Sequence, residues 1–170
     1  MSLGSRQIDP DAGQAVPTAT ASRNLAQMYP TARETLVLQN RLEELRRMER
    51  WLADRFHEWK LSDRVAFAID LVVNEAVTNL ISYGYSDNET HEIVLTLTNE
   101  ADAVAVEIFD DAQPFNPFEA PVRPPASDLG SAPIGGLGLS LIKSYADEYD
   151  YGRVADRNRL GLIVRKRRSD

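Results

Sequence analysis

The sequence predicts an α+β fold, a two-layer sandwich with helices on one face of a mixed, mostly antiparallel sheet. Two observations carry this. The segments HEIVLTLTN (91–99) and AVAVEIFD (103–110) each alternate apolar and polar residues, and Asn99, Glu100, Ala101 and Asp102 between them read as a turn, so they form an antiparallel pair. The element order is strand, helix, helix, two strands, long loop, helix, two strands, and the short turns between most neighbouring strands favour antiparallel pairing. At 170 residues, 43% hydrophobic and 26% charged, the chain suits a single domain with an ordinary core.

Residues 1–32 are rich in Ala, Ser, Thr, Gln and Pro without periodicity and read as a mobile leader, leaving 33–170 as the domain. ETLVLQN (34–40) alternates as a first strand. RLEELRRMERWLADRFHEW then places Leu42, Leu45, Met48, Leu52 and Phe56 on one helical stripe opposite a densely charged face. Ser62 is an N-cap for a second helix running to about Tyr83, with Asp63 in its first turn where the helix dipole favours negative charge. After the hairpin, 112–134 is proline-rich, with six of the nine prolines, and too long for an ordinary connection, so it reads as a functional lid. A helix over 137–147 and strands near 149–154 and 159–166 complete the chain.

Composition removes several functions. With no cysteine there is no disulfide framework, thiolate metal site or catalytic thiol. A net charge of −7 and a pI near 4.9 argue against nucleic-acid binding, which needs a basic face. The basic run Arg165, Lys166, Arg167, Arg168 is read as a solvated tail. The first twenty residues lack the apolar core of a secretory signal and no stretch reads as a membrane span, so the expectation is a cytoplasmic protein with no membrane partner.

Three segments carry chemistry. In the second helix the apolar positions Val65, Ile69, Val72, Val73, Ala76, Val77 and Leu80 share one side and leave Asn74, Glu75, Thr78, Asn79 and Ser82 on the other. That polar stripe has no Lys or Arg. Glu75 and Asn79, at i and i+4, can reach one bound species, although the same stripe also fits an exposed helix face. Asp110 ends a strand, where its carboxylate can accept from a ligand amino group or cap the turn that follows. GGLGLSLI (135–142) places Gly135, Gly136 and Gly138 immediately before a helix, where unpaired amides make an anion site or a flexible turn. It is not a Walker A loop, because no Gly-Lys-Ser/Thr follows.

In order and spacing, NEAVTNLISYGY, IFDDAQPFNP and IGGLGLSLIKSYADE together resemble the GHKL ATPase superfamily, with its histidine-kinase-like ATPase fold, and within it the anti-sigma factor serine/threonine kinases of bacterial partner-switching pathways. The resemblance spans roughly 34–167. It implies Mg²⁺ and ATP as cofactors. Glu75 then orients or deprotonates the attacking hydroxyl, Asn79 holds Mg²⁺ and Asp110 receives the adenine amino group. The box Gly135, Gly136, Leu137, Gly138 and Leu139 wraps the phosphates, and Ala112 lies against the purine. Ala112 stands where relatives usually have glycine, and Ser82 and Tyr83 where they often have isoleucine and histidine. Those relatives are often dimers, so a homodimer is an expected state.

The implied function is an anti-sigma factor that phosphorylates a serine of an anti-sigma-factor antagonist and otherwise sequesters a sigma factor. A nucleotide-gated binding module without significant kinase activity is the alternative. A histidine kinase with His57 and Glu58 as phospho-acceptor pair fits poorly, because FHEWKL lacks the proline of that motif and no dimerising hairpin precedes it. Glutamate at position 75 instead suits a hydroxyl nucleophile, whose proton needs an acceptor.

Overall fold

The computed structural model describes residues 31–116 and 136–167, and within 136–139 the backbone only. Five strands form one sheet in the order β1-β2-β3-β5-β4, comprising β1 (Ala32–Gln39), β2 (Glu92–Asn99), β3 (Ala103–Asp110), β4 (Glu148–Val154) and β5 (Arg157–Arg165). All four pairings are antiparallel, so the sheet is purer than the mostly antiparallel one expected. Most of the proline-rich segment and Gly135 lie outside the described residues, as does the leader up to residue 30.

Period-two alternation decides which face is covered. In register, Leu36 pairs with Leu95, Leu95 with Ile108 and Ile108 with Leu160, while Leu97 pairs with Val106 and Val106 with Leu162. These rows face α1 (Glu44–Glu58), α2 (Asp63–Tyr83) and α3 (Gly136–Tyr145). Helix α1 contributes Met48 and Leu52, both fully buried. Leu42, expected on that stripe, is exposed because the helix starts two residues later, at Glu44. Helix α1 ends where Lys60 takes a left-handed conformation (φ 51°) and the Leu61 amide donates to the Phe56 carbonyl at 3.1 Å, a Schellman-type closure made without glycine.

Helix α2 starts at Asp63, as expected, after Ser62 in an extended conformation, although the Ser62 side chain makes no capping bond. By length and composition α2 is apolar enough to cross a membrane, a property the sequence reading missed. Its apolar side is spent on the core instead, where Val65, Ile69, Val72, Val73 and Val77 are buried against the sheet. At its end, Gly84 allows a close approach: a Cβ there would lie 2.6 Å from Leu80 Cδ1 and 3.2 Å from Ala112 Cβ. Helix α3 stops at Tyr145 because the Asp147 amide already donates to Ile163 of β5 at 2.8 Å.

The basic C-terminal run is not simply a solvated tail. Arg165 forms ion pairs with Glu148 and Asp102, the Lys166 ammonium donates to the Glu100 carbonyl, and Arg64 of α2 donates to the carbonyls of both Arg165 and Lys166. The turn between β2 and β3 supplies Asp102 and the Glu100 carbonyl, and β4 supplies Glu148.

Candidate functional site

A cavity of about 460 Å³ opens between α2 and the end of the sheet where β3 finishes. That volume suits a small-molecule site. Its apolar walls include Leu80, Ile108, Ile142 and Leu160, and its polar groups include Asn79, Asp110 and Asn158. Asp110 therefore lies at a strand end, as expected, and the structure adds that it lines the cavity.

Asp110 is almost wholly buried, 6% exposed, and its two oxygens differ. Oδ1 accepts from the Ala112 amide at 2.9 Å and from Asn158 Nδ2 at 2.7 Å. No described group donates to Oδ2. The turn-capping reading thus describes one oxygen and leaves the other without a described donor, on a residue that lines the cavity. Burial pushes this carboxyl above its ordinary value, while the bonds from Asn158 and Ala112 pull it back.

Sequence reasoning missed Asn158. It pairs with Asp110 across β3 and β5, and its amide also donates to the carbonyls of Ala112 (3.0 Å) and Gln113 (3.4 Å). Its Oδ1 accepts from Tyr151 Oη at 2.6 Å and Arg153 Nη1 at 2.9 Å. An arginine can only donate, so the amide orientation is settled by its partners. Tyr151 in turn accepts from the Phe115 amide at 3.1 Å. The β4–β5 hairpin thereby fixes the chain leaving β3. The signal was present: Leu160, Leu162 and Val164 face the core, and Asn158 has the same parity.

On α2 the structure divides the polar stripe. Asn79 lines the cavity, whereas Glu75, one turn earlier, is half-buried outside its lining and has no hydrogen-bond partner among the described residues. Asn74 is occupied by its own helix, donating to the Asp70 carbonyl at 2.9 Å and carboxylate at 3.1 Å. Asp70 lies above its ordinary value through burial, then through Glu49, against the Asn74 bond.

The glycines sit differently from expectation. Gly136 and Gly138 occupy the first turn of α3 instead of preceding it, so the amides of 136–139 belong to the helix start, where the ladder leaves donors unpaired. Glycine costs little helix stability there. Helix α3 packs on α2, with Tyr145 meeting the Phe67 ring edge-on at 5.7 Å, and Ile142 reaches the cavity. Leu137 and Leu139 have undescribed side chains, and Gly135 lies outside the described residues. Ala112 is buried beside Gly84 and lines the cavity, so its extra methyl packs against the α2 terminus.

Behind Asp110 lies a second polar cluster. The His91 ring stacks on Tyr85 at 4.4 Å, with Nε2 2.9 Å from Asp87 and Nδ1 3.1 Å from Asp111. Hydrogen bonds to Asp87 and then Asp111 hold the imidazole above its ordinary value. Burial, reinforced by Asp110 and Asp111, raises the Tyr85 hydroxyl, which has no hydrogen-bond partner among the described residues.

The donor set fits a nucleotide with its metal. Apolar walls and a carboxylate oxygen that no described group engages suit a base with an amino group, and α3 begins with glycine amides beside α2. Among the described residues no group of three or more His, Asp or Glu could cage a cation, so a metal here would be held by an amide oxygen together with phosphate and water oxygens, which suits Mg²⁺.

Residues 38–164 match the family described as the histidine kinase-like ATPase domain. The serine/threonine-protein kinase BtrW of Bordetella bronchiseptica is 29% identical over 121 residues, 71% of this chain and 78% of that protein. The RsbU and RsbW domains of Rv1364c from Mycobacterium tuberculosis superpose with a TM-score of 0.59 at 17% identity, covering 80% of this chain. The chain spans 32% of that solved chain, and the likeness concerns the fold.

Proposed function

Since this chain belongs to the histidine kinase-like ATPase family, we propose that it binds Mg²⁺-ATP in the Asp110 cavity and phosphorylates a serine of an anti-sigma-factor antagonist. When not so engaged it sequesters a sigma factor, in the cytoplasm and as a homodimer. The observation that carries the ATP reading is buried Asp110, whose Oδ2 receives no bond from any described group, lining a cavity that Asn79 also lines. Kinship at 29% identity to a protein named as a serine/threonine kinase supports the choice of reaction.

In this reading Asp110 Oδ2 accepts from the adenine amino group, and Leu80, Ile108, Ile142 and Leu160 enclose the ring. The first-turn amides of α3 face the phosphates, where helix ends favour anions. Asn79 would hold Mg²⁺, which when bound neutralises phosphate charge. Glu75 takes the proton of the serine hydroxyl as its oxygen bonds to the γ-phosphorus and the bond to the β–γ bridging oxygen breaks, releasing ADP. Phosphoryl transfer asks mainly for such positioning and charge stabilisation.

The test is single-turnover transfer from labelled ATP to a candidate antagonist. Glu75→Ala is expected to keep ATP affinity within a few fold while transfer falls about 10²- to 10⁴-fold, the usual range for a general base. Transfer at the wild-type rate in Glu75→Ala would remove the proposed role.

A further inference from the structure

We infer that Asn158 is a specificity-determining residue, which selects adenine over guanine nucleotides by occupying Oδ1 of Asp110. The inference rests on the ATP reading above and adds to it the reason one purine is admitted. A carboxylate oxygen offers two lone pairs. Oδ1 of Asp110 spends both inside the protein, one on Asn158 Nδ2 at 2.7 Å and one on the Ala112 amide at 2.9 Å. Only Oδ2 remains for a ligand.

Adenine presents a single amino donor at its six-position, beside a ring nitrogen that accepts, so one oxygen serves it. Guanine must be read differently. Its six-oxo group would face Oδ2 with lone pair against lone pair, and if the ring turns to offer its N1 hydrogen and two-amino group, it needs two adjacent acceptors. Asn158 has already taken one of them. A site whose polar groups are committed in this way rejects the wrong donor pattern far better than an apolar wall does.

The amide cannot easily yield. Nδ2 faces three acceptors, namely Asp110 Oδ1 and the carbonyls of Ala112 and Gln113, while Oδ1 is held by the Tyr151 hydroxyl and the Arg153 guanidinium. Asn158 is itself 5% exposed. Its role is positional: it acts through Asp110.

The experiment measures Kd for Mg²⁺-ATP and Mg²⁺-GTP by calorimetry in the wild type, Asn158→Ala and Tyr151→Phe, with thermal melts to verify folding. The wild type is expected to favour ATP by about 100-fold or more. Asn158→Ala should reduce that ratio about 10-fold or more, with GTP binding gained as well as ATP binding lost. Tyr151→Phe, which removes one of the two donors that hold Asn158 Oδ1 and so loosens the amide, should reduce the ratio less. It decides the matter should Asn158→Ala not fold. An unchanged ATP-to-GTP ratio in the folded variants overturns the inference while leaving ATP binding intact. A wild type that binds neither nucleotide overturns the reading beneath it.

Discussion

At the scale of single residues, Asp110 divides its oxygens: Oδ1 caps the turn to Ala112, and no described group donates to Oδ2, the oxygen proposed to meet the base. Removing the carboxylate leaves Asn158 with two carbonyl acceptors, so Asp110→Ala should fold. Calorimetry should find ATP affinity about 10- to 150-fold weaker, from the 1.5 to 3 kcal/mol typical of a hydrogen bond to a charged group. Asn79 and Asp110 were legible as cavity residues because residue type and position coincided, in a stripe without Lys or Arg and at a strand terminus, whereas Glu75, grouped with Asn79 by i, i+4 spacing, lies outside the lining. Asn158 was not legible, because the sequence reading started β5 at Arg159. The reason is local. Ala155 and Asp156 form a two-residue hairpin turn with φ of 47° and 65°, a conformation usually announced by Asn-Gly.

Elements with strong periodicity were read closely, and those set by tertiary contacts less so. Helix α2 and strand β3 begin and end where expected, because capping position, apolar period and alternation agree. The glycine box was read as lying just before its helix, with its amides as an anion site, yet the helix starts at Gly136. The turn after α2 illustrates long-range control. His91 at the start of β2 bridges Asp87 in that turn and Asp111 beyond β3, tying together two segments that wall the cavity. Tyr85 stacks on the ring, Asn40 of the first connection accepts from the His91 amide at 3.0 Å, and Arg157 of β5 donates to the neighbouring Glu92 carbonyl at 3.2 Å.

That bridge makes stability depend on pH in a definite direction. Its partners raise the folded-state value of His91 above the unfolded value of about 6.5, so the stabilisation is full below 6.5 and is lost as pH rises through the folded value. Thermal melts across this range should show the wild type losing part of its margin over His91→Gln with rising pH. Equal pH dependence in both proteins would show that the bridge adds nothing in its charged form.

At the scale of the whole molecule, the sheet has one face covered by helices and one lined with charge. On the latter, Glu107 pairs with Arg33 at 3.2 Å and Arg159 at 2.9 Å, and Arg159 with Asp150 at 2.6 Å, a ladder crossing from β1 to β4. Such exposed pairs contribute little stability each, but they keep that face compatible with water. The covered face ends in the cavity, so core and cavity share α2: its buried residues hold the fold and its remaining side brings Asn79 to the cavity. A ligand bridging α2, β3 and β5 there must stabilise the folded state by mass action. The most direct measurement is therefore the melting temperature with and without Mg²⁺-ATP. At about 100 times Kd the gain is about 2.7 kcal/mol, which for a chain of this length raises Tm by about 5 to 10 °C. A rise of that size, much reduced in Asp110→Ala at the same concentration, is the predicted result, and an unchanged Tm at millimolar Mg²⁺-ATP would contradict the account.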